Sequence, residues 1–143
     1  MKPKLLVSAC LLGIYCRYDG SAHVNPGVLA LAERYEIVPV CPEQLGGLAT
    51  PRDPAERMGE KVVTNKGLDV TDRYRRGAEE SLRLARLLRC SAAVLKERSP
   101  SCGHDEIYDG TFSHRIVPGD GVTAELLRKN GIRVLGESEL ELL

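Results

Sequence analysis

The chain carries no surplus of charge: its 143 residues hold 20 lysines and arginines against 20 aspartates and glutamates. Sequence-independent binding to nucleic acid depends on neutralising phosphates with excess cations, and a balanced chain offers no electrostatic case for it. A local basic patch stays open, and with it a tRNA substrate. The chain also lacks any long apolar run. A bilayer-spanning helix needs about 20 apolar residues, and no stretch approaches that. The start, MKPKLLVSAC, has two lysines and then an apolar stretch too short for a signal peptide. The opening reads as a strand, and the protein as cytoplasmic, with no membrane partner.

Several motifs are missing as well. There is no GxGxxG and no GxxxxGK(S/T), so the case for a dinucleotide or ATP site is poor. No Ser-His-Asp order is evident. The absence of a CxxC pair makes a thiol redox enzyme built on Cys10 and Cys16 unattractive. No internal repeat, low-complexity tract or linker interrupts the chain. With 43% apolar residues, 1–143 reads as one ordinary domain with a real core.

What is present alternates between strand and helix signals. KLLVSAC (4–10) reads as a buried strand. NPGVLALAERY (25–35) has Pro26 near a helix start and apolar residues at Val28, Leu29, Leu31 and Ala32. EIVPVC (36–41) reads as a second strand, and Pro39 argues for a sheet edge or a strand end. Residues 42–60 are Gly/Pro-rich without periodicity and read as a long functional loop. Residues 61–71 suggest a hairpin around Asn65-Lys66-Gly67. Residues 71–90 give the clearest helix, with Thr71 or Asp72 as cap and Tyr74, Ala78, Leu82, Ala85 and Leu88 on one face. A third strand (91–97), a turn-rich segment (109–121), a helix (121–132) that Gly131 can end, a fourth strand (132–136) and a terminal helical turn follow. Strand-helix alternation of this kind predicts a small α/β fold. It is a Rossmann-like or flavodoxin-like sandwich, with a mainly parallel sheet of about four strands and helices on both faces.

Five cysteines are placed unevenly on this map. Cys10 ends the first strand, Cys41 ends the second, and Cys102 lies just past the third, in LKERSPSCG. In an open parallel sheet the C-terminal strand ends share one edge, where ligands bind. Cys90 precedes the third strand, at the other edge, and reads as a structural thiol. Cys16, six residues after Cys10, is a further ligand, a neighbour of the ligands or a spare. Three converging thiolates suit zinc or an iron–sulfur cluster, against the alternative of three small apolar residues packed under loops.

Glu43, in CPEQLGG, is placed to ligate a metal or to act as general base. Ser99 and Ser101 flank Pro100 and cap a turn or orient a ligand. Lys96 offers a cation near the third strand's end. Arg17 and Asp19 sit in the first loop, where Asp19-Gly20 is also a plain turn signal. His104 can ligate metal, shuttle a proton or lie on the surface. PGDG (118–121) before a helix is a candidate anion site.

Four blocks, SACLLGIYCRYDG, PVCPEQLGGLATPRDPAE, LKERSPSCG and IYDGTFS, together resemble the DUF523 family, which includes thiouracil desulfidases. The resemblance runs over nearly the whole chain. It implies a [4Fe–4S] cluster held by Cys10, Cys41 and Cys102, with one iron left without a protein ligand; zinc is the fallback metal. Glu43 and Ser101 would be the catalytic and positioning groups, and Cys16, Asp19 and Lys96 their neighbours. The implied reaction is non-redox removal of sulfur from a small thiolated pyrimidine base or nucleoside, giving uracil and hydrogen sulfide from 2-thiouracil. The alternative is a non-catalytic cluster-binding or sulfur-relay module. In this chain His104-Asp105 and His114 stand where the family pattern has smaller residues.

Overall fold

The computed structural model describes all residues, Met1–Leu143. Its main sheet has strands β1 (Lys4–Ser8), β2 (Glu36–Val40), β5 (Ala92–Leu95) and β8 (Arg133–Gly136), in the order β2-β1-β5-β8. Every pair in it is parallel. The two central strands, KLLVS and AAVL, are buried almost throughout, as expected of parallel strands covered on both faces. β2 is an edge strand, which is where Pro39 can sit without removing a ladder hydrogen bond.

Period-two alternation assigns each side chain to a face. Leu6, Ala93, Leu95 and Val134 point to one side, where they pack with Leu82 and Ala85 of α3 (Thr71–Leu87) and Ala124 and Leu127 of α4 (Val122–Lys129). Leu5, Val7, Ala92 and Val94 point to the other, against Val28 of α1 (Pro26–Ala30), Leu31 and the C-terminal Leu140. The sheet is therefore covered on both faces.

Two hairpins are added at one end. β3 (Ala55–Met58) pairs antiparallel with β4 (Lys61–Thr64), and β6 (Glu106–Tyr108) with β7 (Ile116–Pro118). The expected hairpin around Asn65-Lys66-Gly67 is displaced: the tight turn is at Gly59-Glu60, between Met58 and Lys61. Asn65–Gly67 makes a second turn, closed by a bridge from Val63 to Asp69. The stretch 42–60 is not all loop. It opens with a short helix, α2 (Pro42–Leu45), and closes with β3. Both are too short for periodicity to register. The cap of α3 also differs from expectation. Val70 occupies the cap position without a side-chain bond, and Asp69 before it accepts on Oδ1 from the Thr71 amide at 2.9 Å and the Thr71 hydroxyl at 2.6 Å.

Candidate active site

The strand order places a switch point between β1 and β5: the chain leaves β1 for β2 on one side, then crosses back to β5 on the other. Crevices of this kind open at the C-terminal strand ends. Here the crevice is a cavity of about 520 Å³. Cys10, Cys16, Cys41, Glu43 and Cys102 all line it, and so does Lys96.

Each thiol arrives by a different route. Cys10 does not end β1 but lies in a 3-10 turn that follows it, Ala9–Leu12. Gly13, with φ 96°, stops that turn, and the chain folds back so that Cys16 is buried beside it. Cys41 follows β2 and stands at the start of α2. Cys102 is seven residues past β5, in a loop whose turn Ser99 organises: the Ser99 hydroxyl accepts from the amides of Ser101 at 3.1 Å and Cys102 at 3.0 Å. Cys90 lies at the opposite edge, buried against Ala85 and Ala93, a structural thiol as read from sequence.

α4 fixes the same loop from the other side. Its amides at Val122, Thr123 and Ala124 donate to the carbonyls of Pro100 and Ser101, and Gly121 donates to Gly103. The first-turn donors of that helix are thus consumed, which overturns the reading of PGDG as an anion site. Ser101 is fully buried, with its hydroxyl 2.7 Å from that of Thr123. It does not line the cavity. Together with the Ser8 hydroxyl it acts to lower the pKa of the Cys102 thiol.

Electrostatics in the cavity oppose negative charge. Cys16 is raised to about 11, chiefly by its hydrogen bond with Cys10, with burial adding to the rise. Contact with Cys16, burial and the Glu43 carboxylate push the Cys41 thiol well up. Burial and Glu43 do the same to Cys102. Glu43 itself is raised, because burial outweighs the pull of Arg52. Its Oε2 lies 3.8 Å from the Arg52 guanidinium, and its Oε1 4.0 Å from the Cys41 sulfur.

No three His, Cys, Asp or Glu side chains meet around a single metal-ion position. A lone tetrahedral zinc would require thiolates about 2.3 Å from one point. The donor chemistry fits an iron–sulfur cluster better: thiols on separate elements line one cavity, and a bound cationic core would favour the thiolates of Cys41 and Cys102, which burial and their neighbours otherwise disfavour.

The other expected residues fall around this centre unequally. The Lys96 ammonium lies 3.0 Å from the Glu137 carboxylate. Asp19 lies outside the lining; its Oδ1 accepts from the Ser21 amide at 3.0 Å, a turn contact. His104 turns away from the cavity, its ring set between Glu139 and Asp105. Its bulk therefore takes no room from a substrate, whereas His114 does line the cavity.

Sequence reasoning missed Arg52 and Ser8. Arg52 donates to the Cys16 carbonyl at 3.1 Å and to Thr50 Oγ1 at 3.1 Å while facing Glu43. Only its place between two prolines in an aperiodic loop hinted at it. Ser8 accepts from the Lys96 amide at 2.9 Å; its signal is a polar residue that ends the apolar run Leu5–Val7.

Known proteins are similar to this chain over nearly its whole length. YbbK of Bacillus subtilis (strain 168), an uncharacterised protein, is 47% identical over 146 residues, covering 95% of this chain and 97% of its own. The solved structure of the [4Fe-4S]-dependent thiouracil desulfidase TudS (DUF523Vcz) superposes with a TM-score of 0.94 at 49% identity. The match covers 99% of this chain and 95% of that one. The family model for 2-thiouracil desulfurase matches residues 5–139. Sequence identity, fold and family model agree, and the chain belongs to the 2-thiouracil desulfurase family.

Proposed function

We propose that this protein is a cluster-dependent desulfidase that hydrolyses the carbon–sulfur bond of a thiolated pyrimidine. One observation carries the reading: Glu43 lies 4.0 Å from the Cys41 sulfur, in the cavity that Cys10 and Cys102 also line. The likeness to a thiouracil desulfidase supports it. Cys10, Cys41 and Cys102 would hold a [4Fe–4S] cluster, and Cys16 lies beside them.

When bound with three protein thiolates, such a cluster supplies an open iron, a Lewis acid that polarises the substrate's carbon–sulfur bond. This chain's residues do the rest. Glu43 accepts a proton from water as the water oxygen bonds to the ring carbon. Burial raises its pKa and so strengthens it as a base. Arg52 holds the carboxylate in place from 3.8 Å. The Ser8 and Ser101 hydroxyls ease ionisation of the Cys102 thiol. The carbon–sulfur bond breaks, both protons of the water pass to the sulfur, the one held by Glu43 included, and hydrogen sulfide leaves with no electrons exchanged with an external donor.

The test is anaerobic reconstitution with iron and sulfide, then assay on 2-thiouracil and on thiouridine. The expected result is about four irons per chain and release of one sulfide per uracil or uridine formed. Loaded protein that releases no sulfide from either compound sinks the reading and leaves a cluster-binding module.

A further inference from the structure

The β6–β7 hairpin closes one side of the cavity, and the loop at its tip is strained. Phe112 has φ 58° and His114 φ 60°, a left-handed region that residues with a Cβ adopt only when the surroundings enforce it. The enforcing contact comes from another hairpin. Glu56 of β3 accepts two backbone hydrogen bonds on its Oε1, from the amides of Gly110 and Phe112, both at 3.0 Å. Asp109 Oδ1 adds a clasp inside the loop, accepting from the Thr111 amide at 2.9 Å.

This arrangement turns Phe112, the chain's only phenylalanine, onto the cavity that holds the thiols and Glu43. Tyr108 and His114 stand beside it, their rings edge to face at 5.8 Å and 83°. An aromatic ring offered to a cavity from a strained loop is not core packing, since Phe112 is only half-buried. It presents a flat apolar face of the kind on which heterocyclic bases stack.

We propose that Phe112 is the surface on which the substrate's pyrimidine ring stacks, and that Glu56 is a positioning residue that holds it there. The proposal rests on the desulfidase reading and extends it from the reacting carbon to the ring. Stacking needs only a planar face, so Phe112 selects for a heterocycle without choosing which carbon bears the sulfur.

The test uses reconstituted protein and two pairs of variants. Phe112→Leu keeps an apolar side chain and removes the ring; Phe112→Tyr keeps the ring. Glu56→Ala removes the clasp; Glu56→Gln keeps an oxygen that accepts the same two amides. For Phe112→Leu, KM for 2-thiouracil should rise about tenfold or more, the range of a lost stacking contact. Its kcat should stay within about threefold and its iron content should be unchanged. Glu56→Ala should follow it, while the conservative variants stay near the unaltered protein. An unchanged KM in Phe112→Leu overturns the proposal, whatever happens to kcat. If the unaltered protein desulfurises nothing, the same variants are titrated with 2-thiouracil by calorimetry. Weaker binding in Phe112→Leu and Glu56→Ala alone upholds the stacking site while the desulfidase reading falls; equal binding, or none, overturns both.

Discussion

Glu43 sits where burial opposes its charge and Arg52 partly restores it. A carboxylate in that position is useful when it takes a proton in the transition state. Glu43→Gln keeps the size and loses the proton acceptor. Turnover should fall by roughly a hundredfold to ten-thousandfold, the usual weight of a general base, while iron content after reconstitution stays unchanged. Cys102→Ser should lower both iron content and turnover, because it removes one of the three thiols proposed to hold the cluster in the cavity. Equal iron in Cys102→Ser and unaltered protein would remove Cys102 from the ligand set. Cys16 makes a separate prediction. Its pKa is raised to about 11 by its hydrogen bond with Cys10 and by burial, and only the thiolate is nucleophilic. In cluster-free, reduced protein, iodoacetamide should label Cys16 slowly at pH 8 and faster towards pH 11. Rapid labelling at pH 8 would show that the thiol is not held in this way.

At the scale of elements, the site depends on how closely α2 approaches α3. Gly77 in α3 has no room for a side chain: an added Cβ would lie 1.9 Å from the Pro42 carbonyl oxygen. Gly46 faces the same contact from the α2 side, 2.0 Å from the Arg73 carbonyl oxygen. Glycine inside a helix costs about 1 kcal/mol relative to alanine, and here it allows α2, with Cys41 at its start and Glu43 in its first turn, to seat against α3. Gly77→Ala recovers that propensity but collides with backbone that has to move. The net effect should be a loss of about 1–3 kcal/mol, read as a lower urea midpoint, together with reduced iron loading. A variant as stable and as well loaded as the original would show that the helix pair tolerates separation. α4 works on the other thiol, where its first amides bind the Pro100–Gly103 carbonyls and set Cys102 at the strand edge.

For the whole molecule, the apolar layers on both sheet faces supply the stability that lets three loops hold thiols in one cavity. Leu127 is fully buried between α4 and the sheet. Leu127→Ala should cost about 2–5 kcal/mol, a fall of roughly 4–20 °C in Tm. Leu87, 72% exposed on α3, is the control, and its replacement by alanine should change stability by about 0.5 kcal/mol or less. Similar losses at the two positions would contradict the packing described. No helix is long and apolar enough to cross a membrane.

The sequence determined the parallel α/β architecture, because strand runs and helical periodicity are local patterns read a few residues at a time. It also placed Cys10, Cys41 and Cys102 at one sheet edge and Cys90 at the other, since parallel strands share a direction. It did not determine which way the side chains near those thiols turn. Ser101, next to Cys102 in sequence, is turned behind it toward Thr123, and His104 is turned away toward Glu139. Arg52 reaches Glu43 only because the aperiodic loop between α2 and β3 returns across the cavity. Phe112 reaches the cavity only because Glu56, far away in the chain, binds its loop. Those contacts join residues 9 to 56 positions apart, and a pairing decided by loop closure and packing leaves no period in the chain from which to read it.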